Sequence, residues 1–190
     1  PFSIVLEPES KNTFAPIIAS AILAYKELED EKLIVMPSDH YISNNKSFYN
    51  TCKKILKGNK ESLFLLGIKP EYPSQEYGYI RGLKDRIEFI EKPTIEIAKS
   101  LFKQRNVFWN SGIFIFGKDW ILNKSKEIDS INFERINEAT KKGEKLGNLI
   151  YLKDSHFTKI KPISFDKGFV EKCNDISMLS LDAGWTDLGS

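Results

Sequence analysis

Five residues of this chain, Asp39, Glu91, Lys92, Asn110 and Asp187, border short apolar runs that read as β-strands. Asp39 follows 32–36 (KLIVM), Glu91 and Lys92 follow 87–90 (IEFI), Asn110 precedes 112–116 (GIFIF), and Asp187 sits within 184–189 (GWTDLG). Ligands of open α/β sheets bind outside the carboxyl ends of the strands, so polar residues there are candidates for chemistry. Two carboxylates brought to one rim suit a hard divalent cation, because Mg²⁺ takes one or two carboxylates together with phosphate oxygens and water. A lysine beside them offers a point charge to a phosphate. The plainer reading of an Asp next to Pro or Gly is a turn former, and spacing alone leaves both readings open.

Other chemistries find no support. Neither G-x-x-x-x-G-K-[ST] nor G-x-G-x-x-G occurs, and no G-x-S-x-G elbow is present. The only histidines, His40 and His156, are too few for a His-rich metal site, and His156 in its polar stretch reads as a surface residue. Cys52 and Cys173 lie far apart in helix-like stretches, which fits neither a disulfide framework nor a zinc finger and points to a reducing, cytoplasmic setting. Lys and Arg total 28 against 26 Asp and Glu, a net charge of +2 with both signs interspersed. Bulk-charge binding to nucleic acid or to a membrane surface is not indicated. A composition of 41% hydrophobic and 28% charged residues describes a folded globular chain, and no apolar run approaches the roughly 20 residues of a membrane span.

The elements that must position these groups alternate between short apolar runs and longer segments of helical period. That is the pattern of an α/β fold, with a mixed, mainly parallel Rossmann-like sheet flanked by helices. Strands are expected at 2–6, 32–36 (buried), 63–68, 112–116, 160–165 and 178–181. A first helix over 14–29 carries Ile17, Ile18, Ala21, Ile22, Tyr25 and Leu28 on one face, with Thr13 as N-cap and Pro16 in the first turn. Phe48, Cys52, Ile55 and Leu56 form a second stripe, and Thr94 caps a helix holding Ile95, Ala98, Leu101 and Phe102. Residues 71–93 read as a small antiparallel excursion turning at Lys84-Asp85-Arg86. The lysine- and glutamate-rich 120–147 is helical with a solvated face, and a further helix spans 166–173.

Taken in order, LEPESKNTFAPIIASA (6–21), VMPSDHYI (35–42), GIKP and EYGYI (67–80), FIEKP (89–93), FWNSGIFIF (108–116), ISFDKGFVEK (163–172) and LDAGWTDLGS (181–190) span the whole chain. This set resembles the bacterial mannose-1-phosphate guanylyltransferases, the GDP-mannose pyrophosphorylases often fused to a phosphomannose isomerase. The resemblance implies a nucleotide-diphospho-sugar transferase fold and a reaction of GTP with mannose 1-phosphate to give GDP-mannose and pyrophosphate. It makes Mg²⁺ the expected cofactor, Asp39 and Asp187 its ligands, and Asp39, Lys92 and Asp187 the catalytic groups. Glu91 and Asn110 would bind sugar hydroxyls and Lys92 the sugar's phosphate, while Gly78 would let backbone approach the sugar. For Gly78 a plain β-bulge is nearly as good an account. Glu7, Lys11, Asn12 and Ser38 would lie on the nucleotide side, near guanine and ribose, and the Asn12-Thr13 region could cap the first helix at the same time. Trp109 and Trp185 are expected to pack, as are Asp166 and Glu171 to serve structure. A homodimer is a further expectation from the family.

Two other outcomes stay open: a related transferase with another base or hexose phosphate, or a sugar-nucleotide binding module without activity. The family begins with a strand and a loop of the type GGxGTRLWPLS, which does not occur here, and this chain opens on Pro1 and stops at Ser190 within a motif. The expectation is therefore a partial transferase domain over 1–190, without the loop that grips triphosphate and with low or no turnover of its own.

Overall fold

In the computed structural model, residues 2–27, 32–58, 62–84 and 86–189 are described. Pro1, positions 28–29 of the expected first helix, Asp85 of the expected turn and Ser190 lie outside them. Chain order is β1 (Ile4–Leu6), α1 (Phe14–Glu27), β2 (Lys32–Val35), β3 (His40–Ile42), α2 (Asn45–Leu56), β4 (Leu63–Ile68), β5 (Tyr79–Gly82) and β6 (Ile87–Ile90). It continues through α3 (Ile95–Phe102), β7 (Val107–Gly117), α4 (Lys118–Ile128), α5 (Ser130–Lys141), β8 (Glu144–Leu146) and β9 (Leu149–Tyr151). The short helices α6 (Asp154–Phe157) and α7 (Phe165–Gly168), a 3-10 turn (Val170–Lys172), β10 (Ile176–Ser180) and β11 (Trp185–Asp187) complete it. The chain divides into two compact units, one of residues 1–31 and 118–172, the other of 32–117 and 173–190.

The first unit joins helices to a small sheet of order β1-β9-β8, in which β1 runs parallel to β9. Its first helix buries Phe14, Ala15, Ile18, Ala19, Ala21 and Ile22, a face at spacings of three and four. Ile18, Ala21 and Ile22 of the expected stripe are buried, but the buried face widens to take in Phe14, Ala15 and Ala19, while Tyr25 is 49% exposed. Phe14 supplies the reason: it stacks on Phe165, which in turn stacks on Phe169 at 4.9 Å. Thr13 starts α1 through its carbonyl, which accepts from the Ile17 N–H, but its hydroxyl does not cap that helix. The hydroxyl instead accepts from the Phe165 N–H at 2.8 Å, tying the start of α1 to α7. The expected strand at 160–165 does not form. Pro162 has no N–H to give a ladder, and Ile163 is held by single bonds to the Lys11 carbonyl and from the Phe14 N–H.

The second unit is built on one mixed sheet of order β10-β4-β7-β5-β6, with β2 also on β7. A mainly parallel sheet was the expectation, and here the structure differs. Parallel pairing among the described residues is confined to β10·β4 and β1·β9, and the other pairs are antiparallel. The cause is β7. Strands β2, β4, β5 and β10 point the same way, and the long β7 runs against the first three of them. The antiparallel excursion is the β5–β6 hairpin. Strand β2 is half-buried rather than buried, with Ile34 37% exposed. One core of this unit gathers Cys52, Ile55, Phe64, Leu66, Ile113 and Ile115; another gathers Tyr79, Ala98, Leu101, Val107 and Trp109. Cys52 and Cys173 are free thiols. Among the described residues no helix is long and apolar enough to cross a membrane.

Candidate active site

The register of β7 creates the site. On one side it pairs with β4. On the other, β2 occupies residues 114–117 and β5 occupies 107–109, so 111–113 face no strand on that side. The β4·β7 ladder also slips here, between Leu65 and Gly67. Gly112, at φ +70°, lies in this gap, where its left-handed backbone is open to glycine at little cost. A side chain on Gly112 would stand 3.4 Å from Pro37 Cγ and 3.5 Å from His40 Cε1, so the turn leaving β2 packs against the gap. Asn110 is part of β7 rather than preceding it; its Oδ1 accepts from the Gly112 N–H and its own N–H donates to the Gly78 carbonyl at 2.8 Å.

Asp39 and Asp187 come together through a strand pair that no sequence pattern announces. Strand β11 runs antiparallel to β3, with Asp187 opposite His40 and Trp185 opposite Ile42. Directly opposed side chains share a face, and a residue two further along lies diagonally across it. His40, Asp187 and Trp185 therefore share one face. Gly184, at φ +59°, enters β11 so close to Ser43 that a Cβ would meet its Oγ. Leu188 N–H donates to the Asp39 carbonyl at 3.0 Å and Gly189 N–H to Asp187 Oδ1 at 2.8 Å.

The result is a cluster of Asp39, His40 and Asp187 whose potential ligand atoms lie within 4.8 Å of one another. A Cβ on Gly189 would sit 2.9 Å from Asp39 Oδ2 and 3.3 Å from Asp187 Oδ1, so the carboxylates converge over a residue that leaves the space clear. Two hard oxygen donors around such a cradle fit Mg²⁺. Burial holds the His40 imidazole below its usual range, against the opposing pull of Asp187 and Asp39. Ser38 is exposed beside Asp39.

A second group assembles at the mouth of β5. A Cβ on Gly78 would lie 2.7 Å from Glu91 Oε2 and 2.9 Å from Phe89 Cζ. Gly78 precedes β5 and is not a bulge; the irregularity of this sheet lies between β4 and β7. Lys92 adopts φ +39°, and with Asn12 it makes up the non-glycine residues of positive φ among those described. Such a conformation costs roughly 1–2 kcal/mol and tends to persist where function holds it. An aromatic row joins the two groups: Tyr77 contacts Trp109 at 4.9 Å and Trp185 at 5.6 Å, and Trp185 meets His40 at 5.2 Å. Both tryptophans pack, as expected from sequence. Sequence reasoning missed His40, Gly112, Gly189 and Tyr77 as parts of this site, although His40 stood in plain sight within PSDH.

Glu7, Lys11 and Asn12 belong to the first unit. Lys11 is 9% exposed, with its ammonium held by Glu9 at 2.7 Å and by the Thr158 carbonyl at 3.0 Å. Asn12, at φ +67°, accepts the Thr13 N–H on its own side chain. Glu7 follows β1, and its Oε1 is buried without a hydrogen-bond partner among the described residues. Burial lifts the Glu7 carboxyl above its ordinary range. The native state then holds a proton that the unfolded chain has released, so stability falls as pH rises from the ordinary carboxylate range through the raised value. Glu7→Gln removes that loss. It is expected to stabilise the protein near neutral pH by less than about 1 kcal/mol, water access having trimmed the effect. The gain fades below about pH 4. Urea unfolding at both pH values checks this, and a Gln variant weaker than wild type near neutrality overturns it.

The nucleotidyl transferase family model matches residues 2–190. A mannose-1-phosphate guanylyltransferase of Sinorhizobium fredii is 34% identical over 198 residues, covering 99% of this chain and 38% of that protein. The xanthan biosynthesis protein XanB of Xanthomonas campestris is 30% identical, covering 100% of this chain and 42% of its own length. The chain thus spans about two fifths of the curated relatives it matches. Among solved structures, a Helicobacter pylori protein described as mannose-6-phosphate isomerase superposes with a TM-score of 0.86 at 28% identity, over 97% of this chain and 74% of that one. A Thermus thermophilus protein described as mannose-1-phosphate geranyltransferase gives 0.84 at 25% identity, over 97% and 54%. With the family model covering nearly every residue and both superpositions following the same α/β fold, the chain belongs to the nucleotidyl transferase family.

Proposed function

We propose that this chain carries the cation and sugar-phosphate groups of a mannose-1-phosphate guanylyltransferase, which converts GTP and mannose 1-phosphate to GDP-mannose and pyrophosphate. The observation that carries the reading is the convergence of Asp39 and Asp187 over Gly189, in the unit that also holds the Gly78, Glu91 and Asn110 group. The name shared by relatives such as that of Sinorhizobium fredii supports the choice of sugar and base. In the reaction an oxygen of the sugar phosphate attacks the α-phosphorus of GTP, the bond from that phosphorus to the bridging oxygen breaks, and pyrophosphate leaves. No protein nucleophile takes part, so the protein's contribution is positioning and neutralisation of charge. Asp39 and Asp187 would hold Mg²⁺, which supplies Lewis-acid stabilisation of phosphoryl oxygens. Lys92 meets the sugar's phosphate, Glu91 and Asn110 take the hydroxyls, and Gly78 keeps space beside Glu91. Ser38, exposed beside Asp39, serves the nucleotide.

The full-length protein, purified and supplied with Mg²⁺ and mannose 1-phosphate or glucose 1-phosphate, and with GTP, UTP or ATP, tests the reading by pyrophosphate release and product identity. GDP-mannose as the preferred product supports it. Another preferred pair replaces its specificity, and calorimetric binding of GDP-mannose with no turnover under any pair replaces it with a binding module.

A further inference from the structure

His40 stands among the carboxylates in a state that keeps it from being a ligand. The Trp185 indole N–H lies 3.1 Å from His40 Nδ1. An indole nitrogen can only donate, so Nδ1 must accept, and the proton of the neutral ring then sits on Nε2. Neither nitrogen has a lone pair left for a metal. Histidines that do ligate show the opposite arrangement, giving the second ring N–H to a carboxylate or carbonyl and keeping the other nitrogen open. The ring is also held in place: it meets Trp185 edge to face at 5.2 Å, with Gly112 against its Cε1 side. Trp185 is itself fixed by its register opposite Ile42 and by contact with Tyr77.

We propose that Trp185 is a positioning residue that keeps His40 out of the coordination shell, so that the cation site stays all-oxygen and discriminates against ions that favour imidazole. Carboxylate and water suit Mg²⁺ and Mn²⁺, whereas imidazole suits Zn²⁺, Ni²⁺ and Cu²⁺. A third, nitrogenous ligand within reach of two carboxylates would turn this site toward zinc; the indole hydrogen bond withholds it. The inference rests on the assignment of Asp39 and Asp187 to a cation.

The test loads the protein with Mn²⁺ and reads directly coordinated nitrogen by electron spin echo modulation, while calorimetry gives Zn²⁺ and Mg²⁺ affinities. Wild type is expected to show Mn²⁺ with no coordinated nitrogen, and ¹⁵N spectra of the metal-free protein to show His40 protonated at Nε2. Trp185→Phe keeps a ring in place but removes the donor. It should raise Zn²⁺ affinity about tenfold or more, change Mg²⁺ affinity little, and bring a nitrogen onto Mn²⁺; adding His40→Gln should abolish these gains. A coordinated nitrogen in wild type, or a loss of Zn²⁺ affinity in His40→Gln alone, overturns the inference even if Trp185→Phe does not fold. Mn²⁺ binding that survives both Asp39→Asn and Asp187→Asn overturns the cation assignment instead, which separates the two failures.

Discussion

Asp187→Asn is expected to lower the turnover of GTP and mannose 1-phosphate by about 10²–10³-fold, the scale of losing one well-placed electrostatic group at a phosphoryl or acyl centre. The substitution leaves the fold's own use of this residue intact. Its backbone pairs with His40, and an Asn Oδ1 can still accept the Gly189 N–H that Asp187 Oδ1 now receives at 2.8 Å. What disappears is one negative charge from a cluster in which Asp39 and Asp187 offer oxygens within 4.8 Å of each other. Because like charges at that distance repel, the variant should melt at the same temperature as wild type or slightly above it in low salt. Activity and stability therefore move in opposite senses. If Asp187 were only a turn former, Asn would serve as well, and steady-state rates and a melting curve would both come out unchanged. Mg²⁺ titration adds the third reading: the variant should need a much higher concentration for whatever rate remains.

Much of the fold was legible because burial imposes a period. Strand β4 is buried along 63–67 and matches its apolar run residue for residue. The β5–β6 hairpin likewise forms within the antiparallel excursion expected over 71–93. What was hidden is what the period does not encode. Asn110, Ser111 and Gly112 interrupt β7 with polar and flexible types, so the strand was expected to start only at 112, yet β7 runs through them because β4 and β5 pair with the residues before them and β4 and β2 with those after. Strands β3 and β11 have three residues each and carry His, Asp and Thr, too short and polar to signal anything alone. Their pairing is a tertiary event, and it is the event that joins Asp39 to Asp187. The candidate groups were thus readable as residue types at strand ends, whereas the partners of His40 were not, since Trp185 reaches it only across that pair.

Gly78→Ala should raise KM for the sugar phosphate about 10–100-fold while costing only about 1 kcal/mol of stability. Gly78 does not have a positive φ, so alanine meets no backbone strain, and the whole effect must come from the new methyl. That methyl would lie 2.7 Å from Glu91 Oε2 and 2.9 Å from Phe89 Cζ. The carboxylate, at the end of a flexible side chain, gives way more cheaply than a ring lodged in β6, so the substitution acts chiefly by displacing Glu91. A double-mutant cycle separates this from a general loosening of the hairpin. If Gly78 works through Glu91, Gly78→Ala adds little to the KM already raised by Glu91→Ala. Independent, additive effects would mean that the glycine serves the entry to β5 and not the sugar. An unchanged KM in the single variant would remove Glu91 from the binding surface altogether, because a carboxylate pushed off its position by a new methyl at 2.7 Å cannot hold the same hydroxyl equally well.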